Sequence, residues 1–205
     1  MFVTRAPLVV HSTIRTLCDQ IRSDTDPQYI RINPGSEDQP LDCFNNVRRR
    51  IAQDGGDIVF GWAIWEWPGI FVEAEHHAVW APPSGGAWQD ITPGPPSFRR
   101  RLFLPDDTAI YDFANEGILR DNVRLAVSTS PLVQAMFEAA TERVAILNGI
   151  PGVGRVSASV ETGRQLQNAT MRQMQLQIDI GMTHTAPRAP CFCGSGKMFK
   201  QCHGR

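Results

Sequence analysis

The chain has no apolar run that approaches the length of a membrane span, and no small-residue cleavage site follows its opening stretch MFVTRAPLVV. These absences predict neither a transmembrane helix nor a secretory signal peptide, and place the protein in the cytoplasm. Net charge is nearly absent too, −1 over 205 residues. No global electrostatic pull toward nucleic acid or membrane is therefore expected, and only local patches remain. Internal repeats and low-complexity tracts are lacking, which sets aside repeat architectures. Cysteine is scarce and odd in number, with Cys18, Cys43, Cys191, Cys193 and Cys202 unevenly spaced. That pattern excludes a disulfide framework, and the crowding of three thiols into the C-terminal tail points to metal instead.

What is present is an ordinary globular composition, 42% hydrophobic and 20% charged. Ten Phe, five Trp and two Tyr are enough to seed a core. Val10, Ile14, Leu17, Cys18 and Ile21 fall at helical spacing within residues 8–22, which makes Cys18 a small buried hydrophobe. Residues 29–32 read as a short strand and 33–42 as a polar loop. A helix is predicted over 43–52, with Asp42 as N-cap and Gly55 and Gly56 ending it. The period then changes to strand over 57–67 and 70–80, joined by Pro68 and Gly69 as a hairpin. Further strands are expected at 87–92, 101–104 and 110–113, and helices at 130–147 and 156–178. The order predicts an α+β fold: N-terminal helices with an antiparallel sheet, C-terminal helices and a small metal-binding tail. The organisation expected is a core over 1–115, a helical region over 116–182, a linker over 183–190 and the tail over 191–205.

The tail reads PCFCGSGKMFKQCHGR. Cys191, Cys193, Cys202 and His203 are a normal four-coordinate set for structural Zn²⁺. So short a segment buries no core of its own, so the metal supplies most of its folding energy. Gly194, Ser195 and Gly196 allow the reversal between ligand pairs, Phe199 covers one side, and Lys197 and Lys200 offset the thiolate charge. This stretch resembles the SEC-C motif, whose pattern runs Cys-x-Cys-Gly-Ser-Gly-Lys, an aromatic-Lys pair, then Cys-His-Gly. The resemblance covers the last fifteen residues and implies an interaction module that docks a protein partner. The closed ligand set argues against catalytic zinc.

Cys43 follows a polar loop and opens a helix, where the dipole and free N–H groups favour a thiolate and an oxyanion. His77 and Asp90 lie downstream in adjacent predicted strands, and His77 shares a strand face with Phe71, Glu73, Glu75 and Val79 while His76 falls on the other. The pieces Asp42-Cys43-Phe44, His77-Ala78-Val79-Trp80 and Trp88-Gln89-Asp90-Ile91-Thr92-Pro93 resemble the transglutaminase-like branch of the papain-like superfamily over residues 35–95. The resemblance implies a cysteine hydrolase, thiol protease or acyltransferase acting on an amide-type bond of a protein or peptide. Cys43 would attack the carbonyl, His77 would shuttle the proton and Asp90 would orient His77. Two departures from that pattern are the second histidine, His76, and the lack of an evident upstream oxyanion side chain, for which Gln39 is the candidate.

Other readings of the same residues stand beside this one. Cys43, His77 and Asp90 are also explained as a buried helix-start thiol, a hydrogen-bonded sheet histidine and a turn former. Glu73, Glu75 and His77 as metal ligands lack a familiar spacing. Residues 147–160, LNGIPGVGRVSASV, resemble a helix-hairpin-helix, which would offer the N–H groups of Gly152 and Gly154 to a phosphate with Ala158, Arg155 and Arg164 nearby. With the basic triplets at 48–50 and 99–101, read first as solvated faces, this keeps a non-catalytic adaptor for protein or nucleic acid as the alternative.

Overall fold

The computed structural model describes residues 4–94, 98–115, 118–150 and 158–205. Its order is α1 (Ser12–Ile21), β1 (Gln28–Ile32), α2 (Cys43–Asp54), β2 (Asp57–Trp67), β3 (Phe71–Ala81), β4 (Gln89–Asp90), β5 (Arg100–Pro105), β6 (Val123–Ala126), α3 (Pro131–Asn148) and α4 (Val160–His184). It is an α+β architecture, as the sequence pattern predicts.

Val, Ile, Phe and Trp populate β2 and β3, residues suited to a pleated surface buried on one or both faces. The two strands pair in register from Asp57↔Ala81 to Trp67↔Phe71. The sheet runs β2-β5-β1-β4-β3, and the β2–β3 pairing closes it into a five-stranded barrel. One pairing departs from the expected antiparallel pattern: β1 and β4 are parallel, through Arg31↔Gln89 and Ile32↔Asp90. Parallel neighbours need a long crossover, and here β2, β3 and α2 lie within it.

Three other expectations are corrected. The strand predicted over 87–92 contracts to β4, two residues long. The strand predicted at 110–113 is absent, because Asp112 accepts bonds from the Ala114 N–H and the Asn115 amide and winds residues 113–115 into a 3₁₀ turn. Instead β6 pairs with β3 through Phe71↔Ala126 to Ala74↔Val123. Helix α4 runs further than predicted at its C-terminus, and Ser159 caps its start by accepting the Thr162 N–H at 3.0 Å.

Apolar side chains sort onto the two faces of the closed sheet. Ile30, Val79 and Phe103 converge from three strands and, with Val59 and Trp88, fill the barrel. Outside it, Ile14, Leu17 and Cys18 of α1 pack on Trp62, Ile64, Val72, Ala74, Leu102 and Leu104. Val47 of α2 packs on Ala78, Trp80 and Ile91. Each such aliphatic side chain contributes about 1.5–3 kcal/mol by leaving water.

Gly61 lies where β2 passes closest to β5. A Cβ there would stand 2.2 Å from the Leu104 carbonyl oxygen and 2.7 Å from the Phe103 ring. We expect Gly61→Ala to lower the free energy of urea unfolding by about 1–3 kcal/mol, the usual cost of overpacking. An unchanged midpoint would contradict so close an approach.

Candidate functional site

Cys43 is the first residue of α2, and Asp42 occupies the N-cap position. The Asp42 carboxylate does not cap the helix. It accepts from Asn45 Nδ2 at 2.8 Å and pairs with Arg49 at 3.2 Å. The first helical bond runs from Asn46 N to Asp42 O at 2.8 Å, so the N–H groups of Cys43, Phe44 and Asn45 have no acceptor within the helix. Asn46 is fully buried and ties the preceding loop to α2: its Oδ1 accepts from Gln39 N at 2.9 Å and its Nδ2 donates to Gln39 O at 2.8 Å. The Gln39 side chain, the oxyanion candidate, turns away and donates to Glu37 O at 3.0 Å. Leu41, two residues before the thiol, holds φ at 62°, a costly conformation for a side chain with a branched Cγ.

The structure brings Cys43, His77 and Asp90 together. His77 Nε2 donates to Asp90 Oδ1 at 3.2 Å, and the Cys43 sulfur is near enough to act on the charge of the same ring. Exposure falls inward along the set, from 8% at Cys43 to 4% at His77 and 0% at Asp90. Burial acts most strongly on the imidazole and disfavours its cation. The charges of Asp90 and Cys43 and their hydrogen bonds outweigh burial, and the His77 pKa rises to about 10. Burial likewise works against the Asp90 carboxylate. The charge and hydrogen bond of His77, the charge of Arg101 and the Thr92 N–H bond at 2.9 Å offset it and hold the carboxyl below its usual range.

His76 lies on the opposite face, as strand alternation requires. It bonds the Ala109 carbonyl at 2.6 Å and packs 4.7 Å from the Phe44 ring, and burial pushes its pKa down. Glu75 accepts from Trp65 Nε1 at 2.7 Å, and Glu73 from Asn122 at 3.0 Å. Among the described residues the strand face carrying Glu73, Glu75 and His77 forms no metal cluster.

The basic triplets dissolve into separate contacts. Arg49 pairs with Asp42, Arg50 with Asp38 at 3.3 Å and Asp54 at 3.5 Å. Arg48 lies over the Phe113 ring and Arg100 over Tyr29. Arg101 is the residue that the sequence reading missed. It is 5% exposed, and its Nε donates to Asp90 Oδ2. The signal was its place two residues before Phe103, on the strand face that fills the barrel. Of the helix-hairpin-helix candidate, Gly152, Gly154 and Arg155 lie outside the described residues.

The second cluster is the tail. The ligand atoms of Cys191, Cys193, Cys202 and His203 all lie within 4.8 Å of one another. His203 Nδ1 is 3.3 Å from both Cys191 Sγ and Cys202 Sγ, and Cys193 Sγ is 3.7 Å from Cys202 Sγ. Those edges fit a tetrahedron with metal–ligand bonds of about 2.0–2.3 Å. Gly194 and Gly196, at φ 74° and 75°, make the reversal. The Ser195 hydroxyl bonds lower the Cys193 thiol to about 6, which favours the thiolate a metal needs.

The knuckle is not a free arm. Cys191, Phe192 and Phe199 are buried in one cluster with Trp67, Ile70 and Phe71 of the β2–β3 hairpin, Val133, Met136 and Phe137 of α3, and Ile180 of α4. Phe192 lies so close to α4 that a Cβ on Gly181 would meet its ring at 2.3 Å. The residue between the first two ligands is thus the main anchor of the tail, beside the expected Phe199.

Residues 188–205 match the family model of the SEC-C motif. Neither the curated proteins nor the solved structures compared with the chain gave a match. No helix among the described residues is long and apolar enough to cross a membrane.

Because the tail is part of the core, we expect metal removal to be felt by the body. Chelation, or Cys202→Ser, lowers the melting temperature of the whole chain, and Phe192→Ala costs about 3–5 kcal/mol. Loss of metal with an unchanged melting temperature would show that the knuckle and the body are uncoupled.

Proposed function

We propose that this protein is a cysteine hydrolase or acyltransferase of transglutaminase-like type, acting on an amide-type bond of a protein or peptide and carrying a structural zinc knuckle. The observation that carries this reading is the buried His77 imidazole between a fixed carboxylate and the one thiol at a helix N-terminus. A stabilised imidazolium beside a thiol at a helix start is the pairing that nucleophilic sulfur chemistry uses.

With Nε2 engaged by Asp90, Nδ1 is the ring nitrogen left to exchange a proton with the reacting groups. The Cys43 thiolate attacks the amide carbon and the oxygen gains negative charge. The free N–H groups of the first α2 turn are donors for that oxyanion. As the C–N bond breaks, His77 gives its proton to the leaving amine, and the acyl group stays on Cys43 as a thioester. Water or a second amine then attacks the thioester, His77 takes its proton, and the thiolate leaves as the imidazolium re-forms. Asp90 remains ionised throughout and fixes the ring and its tautomer.

Zinc is the ion that three thiolates and one imidazole suit best. Held by Cys191, Cys193, Cys202 and His203, it would supply folding energy to the tail. Five unpaired cysteines fit a reducing compartment such as the cytoplasm. The exposed Lys197 and Lys200 are the part of the knuckle left to meet a partner protein.

The reading is tested by alkylation of the folded, metal-loaded chain with iodoacetamide, followed by peptide mass spectrometry. Cys18 is a natural control, because burial pushes its thiol up to about 12. We expect Cys43 to label much faster than Cys18 near neutral pH, and His77→Ala to abolish the difference. Equal, slow labelling of both thiols would overturn the assignment.

A further inference from the structure

We propose that Arg101 is a positioning residue of the same site: it clamps the outer oxygen of Asp90 so that the other oxygen faces His77. The inference rests on the catalytic reading above and extends it to a residue outside the three.

Asp90 has no exposed surface, and a carboxylate in that position persists as an anion only if every oxygen is satisfied. Its Oδ1 accepts from His77 Nε2 and from Thr92 N. Its Oδ2 accepts from Arg101 Nε, so the two oxygens have separate partners. The partners come from different strands. Asp90 is on β4, His77 on β3 and Arg101 on β5, and β1 lies between β4 and β5 through Ile32↔Asp90 and Ile30↔Arg101. The strand order β5-β1-β4-β3 sets the three side by side on one face of the sheet.

Arg101 is itself unusual. Its side chain is 6% exposed, and among the described residues Asp90 is its one acidic partner. Its guanidinium carbon lies 4.9 Å from the Trp65 ring centre, which flanks the cation with a π face. An arginine offers rigid, planar donors, and a free surface cation would not hold a carboxylate in one orientation. The pair has a directional consequence. Without the clamp Asp90 can rotate, and His77 loses the acceptor that selects its tautomer. The titratable and charged groups gathered here are His77 from β3, Arg101 from β5 and, beyond the imidazole, Cys43 from α2. Removing the one permanent cation leaves a desolvated carboxylate that takes up a proton at higher pH.

The test is the pH profile of Cys43 alkylation by iodoacetamide in the folded chain, compared among the unsubstituted protein, Arg101→Met and Arg101→Lys. We expect Arg101→Met to slow labelling at neutral pH by roughly tenfold, the low end for partners that orient a reactive imidazole. We also expect the pH at which labelling fails on the acid side to move upward. Arg101→Lys, which keeps the charge, restores most of the rate and leaves the acid limb near its original place. If Arg101→Met does not fold, Arg101→Lys against Asp90→Asn carries the comparison, and the proposal predicts that the lysine variant keeps the acid limb that the asparagine variant loses. An Arg101→Met chain with a lower melting temperature but an unchanged rate and profile would overturn the proposal and leave the catalytic reading intact. A chain with intact Arg101 whose Cys43 labelling is independent of His77 would instead sink the catalytic reading.

Discussion

A carboxylate with no contact to water governs this fold. Asp90 sits inside the barrel, and a bare charge there would cost more than a small domain can spare. Its partners arrive from β3, β5 and the backbone after β4. The sheet must therefore hold β1 between β4 and β5, with β3 on the other side of β4, for the charge to be satisfied. The strands that bury the apolar filling of Ile30, Val79 and Phe103 also carry His77 and Asp90, and the Cys43 sulfur acts on the same imidazole.

The Cys/His cluster of the tail, which could hold a metal ion, has a different relation to the rest. Its ligands give it a shape, and its aromatic residues give it a place. Phe192 and Phe199 share a core with the far end of the β2–β3 hairpin and with α3 and α4. The same hairpin carries His77 nearer its other end. The knuckle thus braces the scaffold of the candidate site from a distance. The apolar side of the tail is packed against its own chain.

Much of this was legible in the sequence. Apolar periodicity located α1, α2 and the long hairpin, and ligand chemistry located the knuckle, because both signals are local. The resemblance over residues 35–95 singled out Cys43, His77 and Asp90, and of these the structure joins His77 to Asp90 by a hydrogen bond. Short or non-local features were not. Strand β6 is three half-buried residues and one exposed, whose pairing with β3 has no local signature. The parallel β1–β4 contact joins segments more than fifty residues apart through the crossover that holds α2, β2 and β3. Arg101 stood inside a basic triplet, and composition says nothing about which of three adjacent arginines turns inward. Only the apolar residues on both faces of β5, Leu102 and Leu104 outside with Phe103 inside, mark it as buried. Phe192 was hidden by the ligands on either side of it.

The central claim is that the His77 imidazolium is held jointly by Asp90 and the Cys43 sulfur. The most direct measurement is an NMR titration of the His77 ring in the folded, metal-loaded chain and in Cys43→Ala. The account predicts an imidazolium that persists well above neutral pH and loses its proton at clearly lower pH once the Cys43 sulfur is gone, because the thiolate charge helps to hold it. A His77 ring that is neutral at pH 7, or one whose titration ignores the Cys43 substitution, would contradict it.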